Sequence, residues 1–202
     1  MRTLMNSKIF RFVKETDANE ILSIYAPYIT ESVITFECEI PSLSEFTERI
    51  KGFSFDYPYI VCLIDDKIVG YAYAHRQMER EAYQWNAELS VYVDKNHLRC
   101  GIGKTLYNLL IDILQLQNIC NIYGGVTVPN ANSEQLHEHL GFKKLGTYHN
   151  TGYKCGAWHD VSWFEKWIGR NDSNPLPFTS IREIDKNKLD EIVSKYTKRI
   201  NL

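Results

Sequence analysis

The hydrophobic pattern changes period most clearly between residues 87 and 114. Apolar residues first alternate with polar ones, the period of two that predicts a half-buried strand, at Ala87, Leu89, Val91 and Val93. The other face of that strand carries Glu88, Ser90 and Tyr92. Beyond a turn with two glycines the period lengthens to that of an amphipathic helix, at Leu106, Leu109, Leu110, Ile113 and Leu114. The chain therefore passes from a strand through a glycine turn into a helix.

The same two periods predict the remaining elements. Strands are expected at residues 9–13, 59–64, 67–74, 120–128, 142–148 and 157–167. Asp65 and Asp66 would form a hairpin turn, and residues 30–36 a loop or a short helix. Helices are expected from Asp17 to near Pro27, after a capping box of Ser42 and Glu45, and over residues 132–140.

This order predicts an α/β (α+β) fold with a mixed sheet, because hairpins precede the glycine turn where a doubly wound sheet would alternate strictly between strand and helix. We expect a single domain over residues 1–168 and a linker or extended tail over residues 169–184, whose start is rich in Asn, Asp, Ser and Pro. Residues 185–202 predict an amphipathic helix for packing or a dimer contact, with its stripe at Leu189, Ile192, Val193, Tyr196 and Ile200.

The turn between the central strand and its helix has the chemistry of an anion site. The first N–H groups of a helix lack partners within the helix and lie at the positive end of its dipole. Gly101 and Gly103 let the backbone approach a phosphate, and Arg99 and Lys104 add positive charge. We therefore interpret Arg99 to Lys104 as a cradle for a diphosphate.

Spacing separates three kinds of phosphate loop. A Walker A loop needs glycine where Leu98 stands, and a dinucleotide-binding fingerprint needs glycine where Leu106 stands. The remaining pattern, Gln/Arg-x-x-Gly-x-Gly/Ala, is the acetyl-CoA loop of acyltransferases. Gly101 and Gly103 fit it, although Leu98 departs from its first position and Arg99 stands next to it.

Composition and charge narrow the class of protein. The 202 residues have a net charge of −2, which suggests no nucleic-acid partner. No segment approaches the ~20 apolar residues of a membrane-spanning helix, and residues 1–10 lack the apolar core of a signal peptide. The five cysteines are odd in number and show no CxxC spacing, which favours reduced thiols over disulfides. A cytoplasmic protein without a membrane partner is expected.

Further motifs follow the cradle in order: Val128-Pro129-Asn130, Leu136-His137-Glu138-His139-Leu140-Gly141-Phe142, Gly152-Tyr153-Lys154 and Trp158-His159-Asp160-Val161. With them, the chain resembles the phosphinothricin acetyltransferase family of the GNAT superfamily, from about Phe10 to about Ile184. The resemblance implies a mostly antiparallel sheet, flanked by helices, that splays between the strands of Glu88 and Ile122. It also implies a homodimer, with the closing hairpin near the interface and the pocket mouth.

Acetyl transfer to an amine needs a base, a donor for the oxyanion and a proton for the departing thiolate. Glu88 is the candidate base, because partial burial would raise the pKa of its carboxyl group. The alternative for Glu88 is a strand carboxylate paired with Arg76 or Arg80. The resemblance assigns the base role to Glu88 as well, acting directly or through water.

His137 is the second catalytic candidate. It lies four residues after Ser133, on a helix face distinct from that of Leu136 and Leu140, so Ser133 and His137 would project together toward the cofactor. The resemblance places a histidine here where most GNAT enzymes have a tyrosine acid. The alternative is a solvated or structural side chain. No metal site is expected, since His137 and His139 would diverge on a helix.

The resemblance also implies the residues that bind the two substrates. Acetyl-CoA, as cosubstrate, would contact Val91, Tyr92, Val93, Arg99, Cys100, Gly101, Ile102, Gly103, Lys104, Asn130 and Ser133. A backbone N–H between Val91 and Val93 would donate to the oxyanion, and Asn130 is alternatively a helix cap. The acceptor would contact Phe36, Arg80, Tyr83 and Tyr92. Met78 stands where a basic residue is expected, which weakens the case for a doubly anionic acceptor.

The sequence therefore predicts an acetyl-CoA-dependent N-acetyltransferase that transfers the acetyl group directly to a small amino-acid-like amine, such as phosphinothricin or methionine sulfone or sulfoximine. A non-catalytic acyl-CoA-binding module is the first alternative, and retention of Glu88 and His137 argues against it. A P-loop nucleotide hydrolase is opposed by Leu98. An acyl-cysteine route through Cys100 lacks a placed histidine base.

Overall fold

The computed structural model describes residues 8–170 and 173–199. The strands are β1 (Lys8–Phe12), β2 (Tyr59–Ile64), β3 (Lys67–Arg76), β4 (Asn86–Val93), β5 (Asn121–Val128), β6 (Lys143–Lys154) and β7 (Ala157–Trp167). The α-helices are α1 (Ala18–Thr30), α2 (Leu43–Asp56), α3 (Ile102–Leu116), α4 (Ala131–His139) and α5 (Lys186–Arg199). The predicted order of strands and helices is confirmed.

All seven strands form one sheet in the order β1-β2-β3-β4-β5-β7-β6. Only the β4–β5 pair is parallel among these neighbours, and the others are antiparallel. Helices cover both faces, so the fold is a mixed α/β domain with a mostly antiparallel open sheet, as the sequence predicts.

The sheet opens between its two central strands. β4 and β5 pair only from Asn86↔Asn121 to Glu88↔Tyr123, although β4 continues to Val93 and β5 to Val128. Beyond Glu88 the two strands diverge and leave backbone edges without a neighbouring strand. The predicted splay is therefore present, and Glu88 lies at its apex.

Two apolar cores lie on opposite faces of the sheet. On one face, α3 packs its buried stripe against the inward side chains of β2, β3 and β4, with Leu106, Leu109 and Leu110 fully buried. On the other face, α1 and α2 pack Ile21 and Ile50 against the tyrosines of β2 and β3. The sheet therefore presents one side of β4 to α3 and the other to α1 and α2.

Local signals explain most element boundaries. The Ser42 side chain accepts from the Glu45 N–H, and the Glu45 carboxylate accepts from the Ser42 N–H, which confirms the capping box. Asp65 and Asp66 have φ of 50° and 61°, as a two-residue hairpin turn requires. The predicted end of α1 near Pro27 is wrong, because the helix continues to Thr30. The proline removes only one helical hydrogen bond, and the buried Ile29 keeps the last turn packed.

Residues 176–184, here called the C-terminal strap, are tied to the domain by hydrogen bonds. Gln117 donates to the Thr179 carbonyl oxygen at 2.9 Å, and the Trp85 indole donates to that of Leu176 at 2.7 Å. The strap leads into α5, whose buried Leu189 and Tyr196 join the core on the α3 face. Ile200, predicted on the same stripe, lies outside the described residues. The sequence predicts the linker and helix boundaries, and the structure adds that α5 packs on the domain.

Candidate active site

Glu88 lies half-buried where the sheet opens. It pairs across β4 and β3 with His75, and with Tyr123 on β5. Burial raises the pKa of the Glu88 carboxyl group above its usual value, and the nearby His75 partly opposes that rise. Among the described residues no ion pair joins Glu88 to Arg76 or Arg80, and the Arg76 side chain donates instead to the Met78 carbonyl oxygen at 2.9 Å. The carboxylate is thus not held by a structural arginine.

The polar face of β4 continues into an aromatic layer beneath α1 and α2. The Tyr92 ring stacks on Tyr71 at 5.3 Å between centroids and meets Tyr25 and Tyr28 edge-on at 4.9 and 5.1 Å. Burial raises the pKa of the Tyr92 phenol well above 10, so the phenol stays protonated. Tyr92 is therefore held in place by three rings, on the same face of β4 as Ser90 and Glu88.

A partly exposed ion pair between Arg49 and Glu37 connects the loop before α2 to this aromatic layer. Arg49 of α2 holds the Glu37 carboxylate through both guanidinium nitrogens, at 2.5 and 3.2 Å. The Tyr25 hydroxyl donates to the same carboxylate at 2.8 Å. Sequence reasoning missed this network, because residues 37 and 49 lie in separate elements with no motif between them.

The cradle has the backbone that its glycines predict. Gly101, at φ 76°, is the residue before α3, and Arg99 also has a positive φ of 60°. The first helical hydrogen bond is donated by the Thr105 N–H to the Gly101 carbonyl oxygen at 3.0 Å. The N–H groups of Ile102, Gly103 and Lys104 therefore point out of the helix end, where Gly101 has no side chain to cap them.

The fold does not require glycine at position 103, and cations lie near the cradle. A Cβ added at Gly103 would lie 3.7 Å from Leu136 and 3.9 Å from Val91, so the fold itself has room for a methyl group there. Arg99 and Lys104 are exposed. Lys8, which sequence reasoning missed, donates to the Cys100 carbonyl oxygen at 2.6 Å and adds a cation from β1.

Asn130 is the residue before α4 and follows the end of β5 that diverges from β4. Its side-chain oxygen accepts from the Ser133 N–H at 3.2 Å, so Asn130 is a helix cap. Ser133 is partly exposed one turn before His137. Asn130 and Ser133 thus lie at the start of α4, which follows β5.

His137 is buried, with only 3% of its surface exposed. Its ring stacks on Phe164 at 5.1 Å and covers Gly124, where an added Cβ would overlap Nε2. Leu140 is buried as well, because β7 and Phe142 enclose α4 on that side. Burial lowers the pKa of the imidazole below 6.5.

The predicted acceptor residues do not all lie together. The Phe36 ring packs onto Gly152 and His159 of the closing hairpin, and the Lys154 ammonium donates to the Thr35 carbonyl oxygen at 2.8 Å. Tyr92 belongs to the aromatic layer. Arg80 and Tyr83, however, are exposed in the connection between β3 and β4, at the paired end of the two central strands.

Tyr107 is a further residue that sequence reasoning missed. Its hydroxyl lies 3.2 Å from Nε2 of His137 and 3.5 Å from the Leu89 carbonyl oxygen. In the sequence Tyr107 belongs to the apolar stripe of α3, where one aromatic residue indicates only core packing.

A sheet that opens between two central strands around a half-buried carboxylate, beside a glycine-led helix terminus, defines an acyltransferase. Residues 10–163 match the acetyltransferase (GNAT) domain. The chain belongs to the GNAT acetyltransferase family and is an N-acetyltransferase. In the described residues no helix is long and apolar enough to cross a membrane, and no group of three or more His, Cys, Asp and Glu side chains is arranged to hold a metal ion.

Three relatives illustrate the likeness. The phosphinothricin N-acetyltransferase of Streptomyces viridochromogenes is 33% identical over 168 residues, which cover 83% of this chain and 90% of that protein. An L-methionine sulfoximine/L-methionine sulfone acetyltransferase of Salmonella typhimurium is 29% identical over 109 residues, covering 54% and 64%. The crystal structure of a GNAT phosphinothricin acetyltransferase from Sinorhizobium meliloti in complex with AcCoA superposes with a TM-score of 0.80 at 28% identity, covering 84% and 94%.

Proposed function

We propose that this enzyme transfers the acetyl group of acetyl-CoA directly to the primary amine of a small amino-acid-like acceptor. The observation that carries the proposal is the half-buried Glu88 at the apex of the split, on the strand that leads into the cradle. The acetyl-CoA bound in the Sinorhizobium meliloti structure supports the choice of acyl donor.

The cradle is proposed to hold the diphosphate of acetyl-CoA. Outward N–H groups of Ile102, Gly103 and Lys104, with the exposed cations of Arg99 and Lys104, fit a doubly charged anion. The chain enters the cradle through Cys100, and the pantetheine arm would lie along the open edge of β4, at Val91, Tyr92 and Val93. Asn130 and Ser133 face this arm from α4.

Glu88 is proposed to remove a proton from the acceptor ammonium, directly or through water. Its carboxylate lies on the α1/α2 face of β4, away from the face on which α3 packs. A raised pKa brings the carboxyl group closer to neutrality and makes it a stronger base than an exposed glutamate. A backbone N–H between Val91 and Val93 would donate a hydrogen bond to the oxyanion. His137 would supply a proton to the departing thiolate.

The class of acceptor is proposed from the related proteins and from the predicted acceptor-binding residues of this chain. Phosphinothricin and methionine sulfoximine or sulfone acetyltransferases are among the related proteins. Phe36 and Tyr92 would pack against the acceptor side chain, and Arg80 and Tyr83 would contact the acceptor from the exposed connection between β3 and β4. Arg80 would pair with a carboxylate or phosphinate. Met78 adds no second cation there, so a singly charged amino acid is favoured over a doubly anionic one.

A thiol-release screen tests this proposal. The purified enzyme with acetyl-CoA is offered amino acids, their sulfoximines and sulfones, polyamines and phosphinothricin. We expect release with amino-acid-like acceptors, and a loss in Arg80→Ala that is confined to anionic acceptors. Acetyl-CoA binding without turnover on any amine would favour a binding module instead, and equal loss for neutral amines would contradict charge pairing by Arg80.

We further propose a homodimer in the cytoplasm. The closing hairpin exposes large aromatic side chains side by side, with Tyr148, Tyr153 and Trp158 between 58% and 60% exposed. Such a band on one hairpin is typical of an interface. The exposed thiols of Cys38, Cys100 and Cys155 suit a reducing compartment.

A further inference from the structure

A histidine lies beside the proposed base. His75 is the cross-strand partner of Glu88 in the antiparallel pair of β3 and β4. The side chains of such partners leave the sheet on the same face, with Cβ atoms about 4.5–5.5 Å apart. The His75 ring stacks on Phe53 of α2 at 5.3 Å between centroids, so this face is the α1/α2 face. The imidazole and the Glu88 carboxylate are therefore neighbours at the apex of the split.

One nitrogen of the His75 ring can take up a proton. Nδ1 lies 2.9 Å from the Arg76 carbonyl oxygen, and because a carbonyl oxygen only accepts, Nδ1 carries the hydrogen of the neutral ring. Nε2 then has a lone pair, and within the described residues no hydrogen bond involves that nitrogen. The neutral ring can therefore accept one proton at Nε2.

The surroundings of His75 open toward solvent. β3 ends at Arg76, one residue after His75, and residues 78–83 beyond it are exposed. The Glu88 carboxylate, in contrast, would be covered by the acceptor and the acetyl group once both substrates fill the split. His75 is thus next to the carboxylate across the sheet and next to the exposed end of β3 along the chain.

The charge of His75 acts on Glu88. Burial is the largest cause of the raised pKa of Glu88, and the positive charge of a protonated His75 opposes it. Burial also raises the pKa values of the neighbouring phenols, which stay neutral, and Arg49 is bound to Glu37. The other ionisable side chains on the elements around this pair are Tyr73, Glu37, Arg49, Tyr107, Tyr123 and Glu165.

Acetyl transfer leaves the enzyme with one proton to release. An ammonium group loses two protons when its nitrogen becomes an amide nitrogen. The nitrogen forms the C–N bond to the acetyl carbon, and the sulfur takes one of the two protons as the C–S bond breaks, so coenzyme A leaves as a neutral thiol. The other proton remains on Glu88, and it must leave before Glu88 can act again.

We propose that His75 takes this proton from Glu88 after each transfer and passes it to solvent. The inference rests on the acetyl transfer proposed above. Among the described residues no direct ion pair joins the two side chains, so one water molecule carries the proton from the carboxylic acid to Nε2. The imidazolium then gives a proton to bulk water and becomes neutral again. His75 acts through Glu88 and does not touch the substrates.

Steady-state thiol release by His75→Phe at low buffer concentration tests this exit route. Phenylalanine keeps a ring that can stack on Phe53 but cannot accept a proton. We expect kcat to fall by roughly 10²-fold, with the KM for acetyl-CoA unchanged within about threefold. Loss of the positive charge should also raise the pKa of Glu88 further, so the acid side of the kcat/KM profile should move to higher pH.

Chemical rescue of His75→Ala separates proton transfer from packing. Added imidazole should raise kcat of this variant in proportion to the concentration of its neutral form, and it should leave wild-type kcat unchanged. Thiazole, a ring of similar shape but much weaker basicity, should not raise kcat. Equal rescue by the two rings would show that position 75 only fills space, and the exit route would be rejected.

His139→Phe is the matched control. The Nδ1 atom of His139 also bonds a backbone carbonyl oxygen, that of Gln135 at 2.7 Å, but His139 is exposed on α4, so wild-type kcat is expected. Wild-type kcat in a folded His75→Phe, an unmoved acid side, or a loss in His75→Ala that imidazole does not repair would overturn the exit route alone. A wild type that releases no thiol with any amine would instead overturn the proposed acetyl transfer.

The wild-type protein provides a test that does not depend on the folding of a variant. Nitrogen-15 NMR at alkaline pH should show the neutral His75 ring with its hydrogen on Nδ1. A hydrogen on Nε2 would leave that nitrogen without a lone pair for the proton of Glu88, and the exit route would be abandoned.

Discussion

Burial controls the chemistry of individual side chains on β4 and α3. Glu88 and Tyr92 of β4 and Tyr107 of α3 all have raised pKa values for which loss of solvent is the largest cause. For the phenols this keeps the hydroxyl protonated, whereas for Glu88 it makes the carboxylate more basic, as the proposed base role requires. One physical effect therefore acts differently on two kinds of group.

Glu88→Gln is predicted to lower kcat by roughly 10²–10⁴-fold while leaving the acetyl-CoA dissociation constant nearly unchanged, because glutamine keeps the shape but cannot accept the proton. Single-turnover rates and calorimetric binding would measure the two effects. An unchanged rate would reject Glu88 as the base.

Glu88→Gln should also remove the acid side of the pH profile of activity. Since the pKa of Glu88 is raised from 4.5, wild-type activity falls as the pH drops through that raised value, and the limb should be absent in Glu88→Gln. Stability has the opposite dependence. The folded state holds the proton more tightly than the unfolded state, so ionisation of Glu88 reduces stability as the pH rises above 4.5. Glu88→Gln should therefore melt at or above the wild-type temperature at neutral pH.

At the scale of elements, the proposed binding of acetyl-CoA depends on the start of α3. Gly103→Ala is predicted to weaken acetyl-CoA binding at least about tenfold, because a methyl group would occupy the approach of the diphosphate to the helix end. The fold should tolerate it, since the nearest atoms would lie 3.7 Å away. Thermal melting and acetyl-CoA titration separate the two effects.

Gly52→Ala in α2 is the matched control, with no atom within 4 Å of the added methyl group. It should leave acetyl-CoA binding unchanged and stabilise the helix by about 0.5–1 kcal/mol. Equal acetyl-CoA affinity in Gly103→Ala and the wild type would place the diphosphate elsewhere.

The start of α2 depends on its capping box. Ser42→Ala should reduce the free energy of unfolding by about 1 kcal/mol, because the Glu45 N–H loses its acceptor. In a domain of this size that corresponds to a fall in Tm of about 2–4 °C. Ser44→Ala is the control, because Ser44 is an exposed serine in the first turn of α2, two residues after Ser42. A Tm equal to that of the control would show that the cap contributes nothing measurable.

At the scale of the whole molecule, the proposed dimer depends on the aromatic band of the closing hairpin. Trp158→Ser should shift the solution mass from two chains to one, because it removes an exposed ring that packs edge-on against Tyr153 at 5.3 Å. Light scattering after size exclusion would measure the mass. Trp167→Ser, near the other end of β7 and also exposed, should retain the dimer. A monomeric wild type would contradict the proposal.

Elements with strong local signals were predictable. The hairpin turn of Asp65 and Asp66, the cap of Ser42 and the glycine-led start of α3 all follow from turn and cap chemistry over a few residues. The end of α1 was not, because packing of Ile29 outweighed the break expected at Pro27. The splay of the sheet was predicted from the family resemblance and not from the periodicity of the sequence.

The candidate site was only partly predictable for the same reason. Glu88 and the cradle lie on one continuous stretch, so alternation and spacing located them. Tyr107 and His137 are 30 residues apart, and Lys8 and Cys100 are 92 apart. No local pattern encodes such contacts.

By itself the sequence determined the order of strands and helices, the glycine-led start of α3 and the carboxylate on the strand before it, because period, glycine and charge act over short distances. Only the tertiary structure decided that His137 is buried behind Gly124, that Tyr107 reaches it and that α5 packs on the domain. These contacts arise where the divergence of β4 and β5 leaves space that distant side chains fill, and that space exists only once the sheet is assembled.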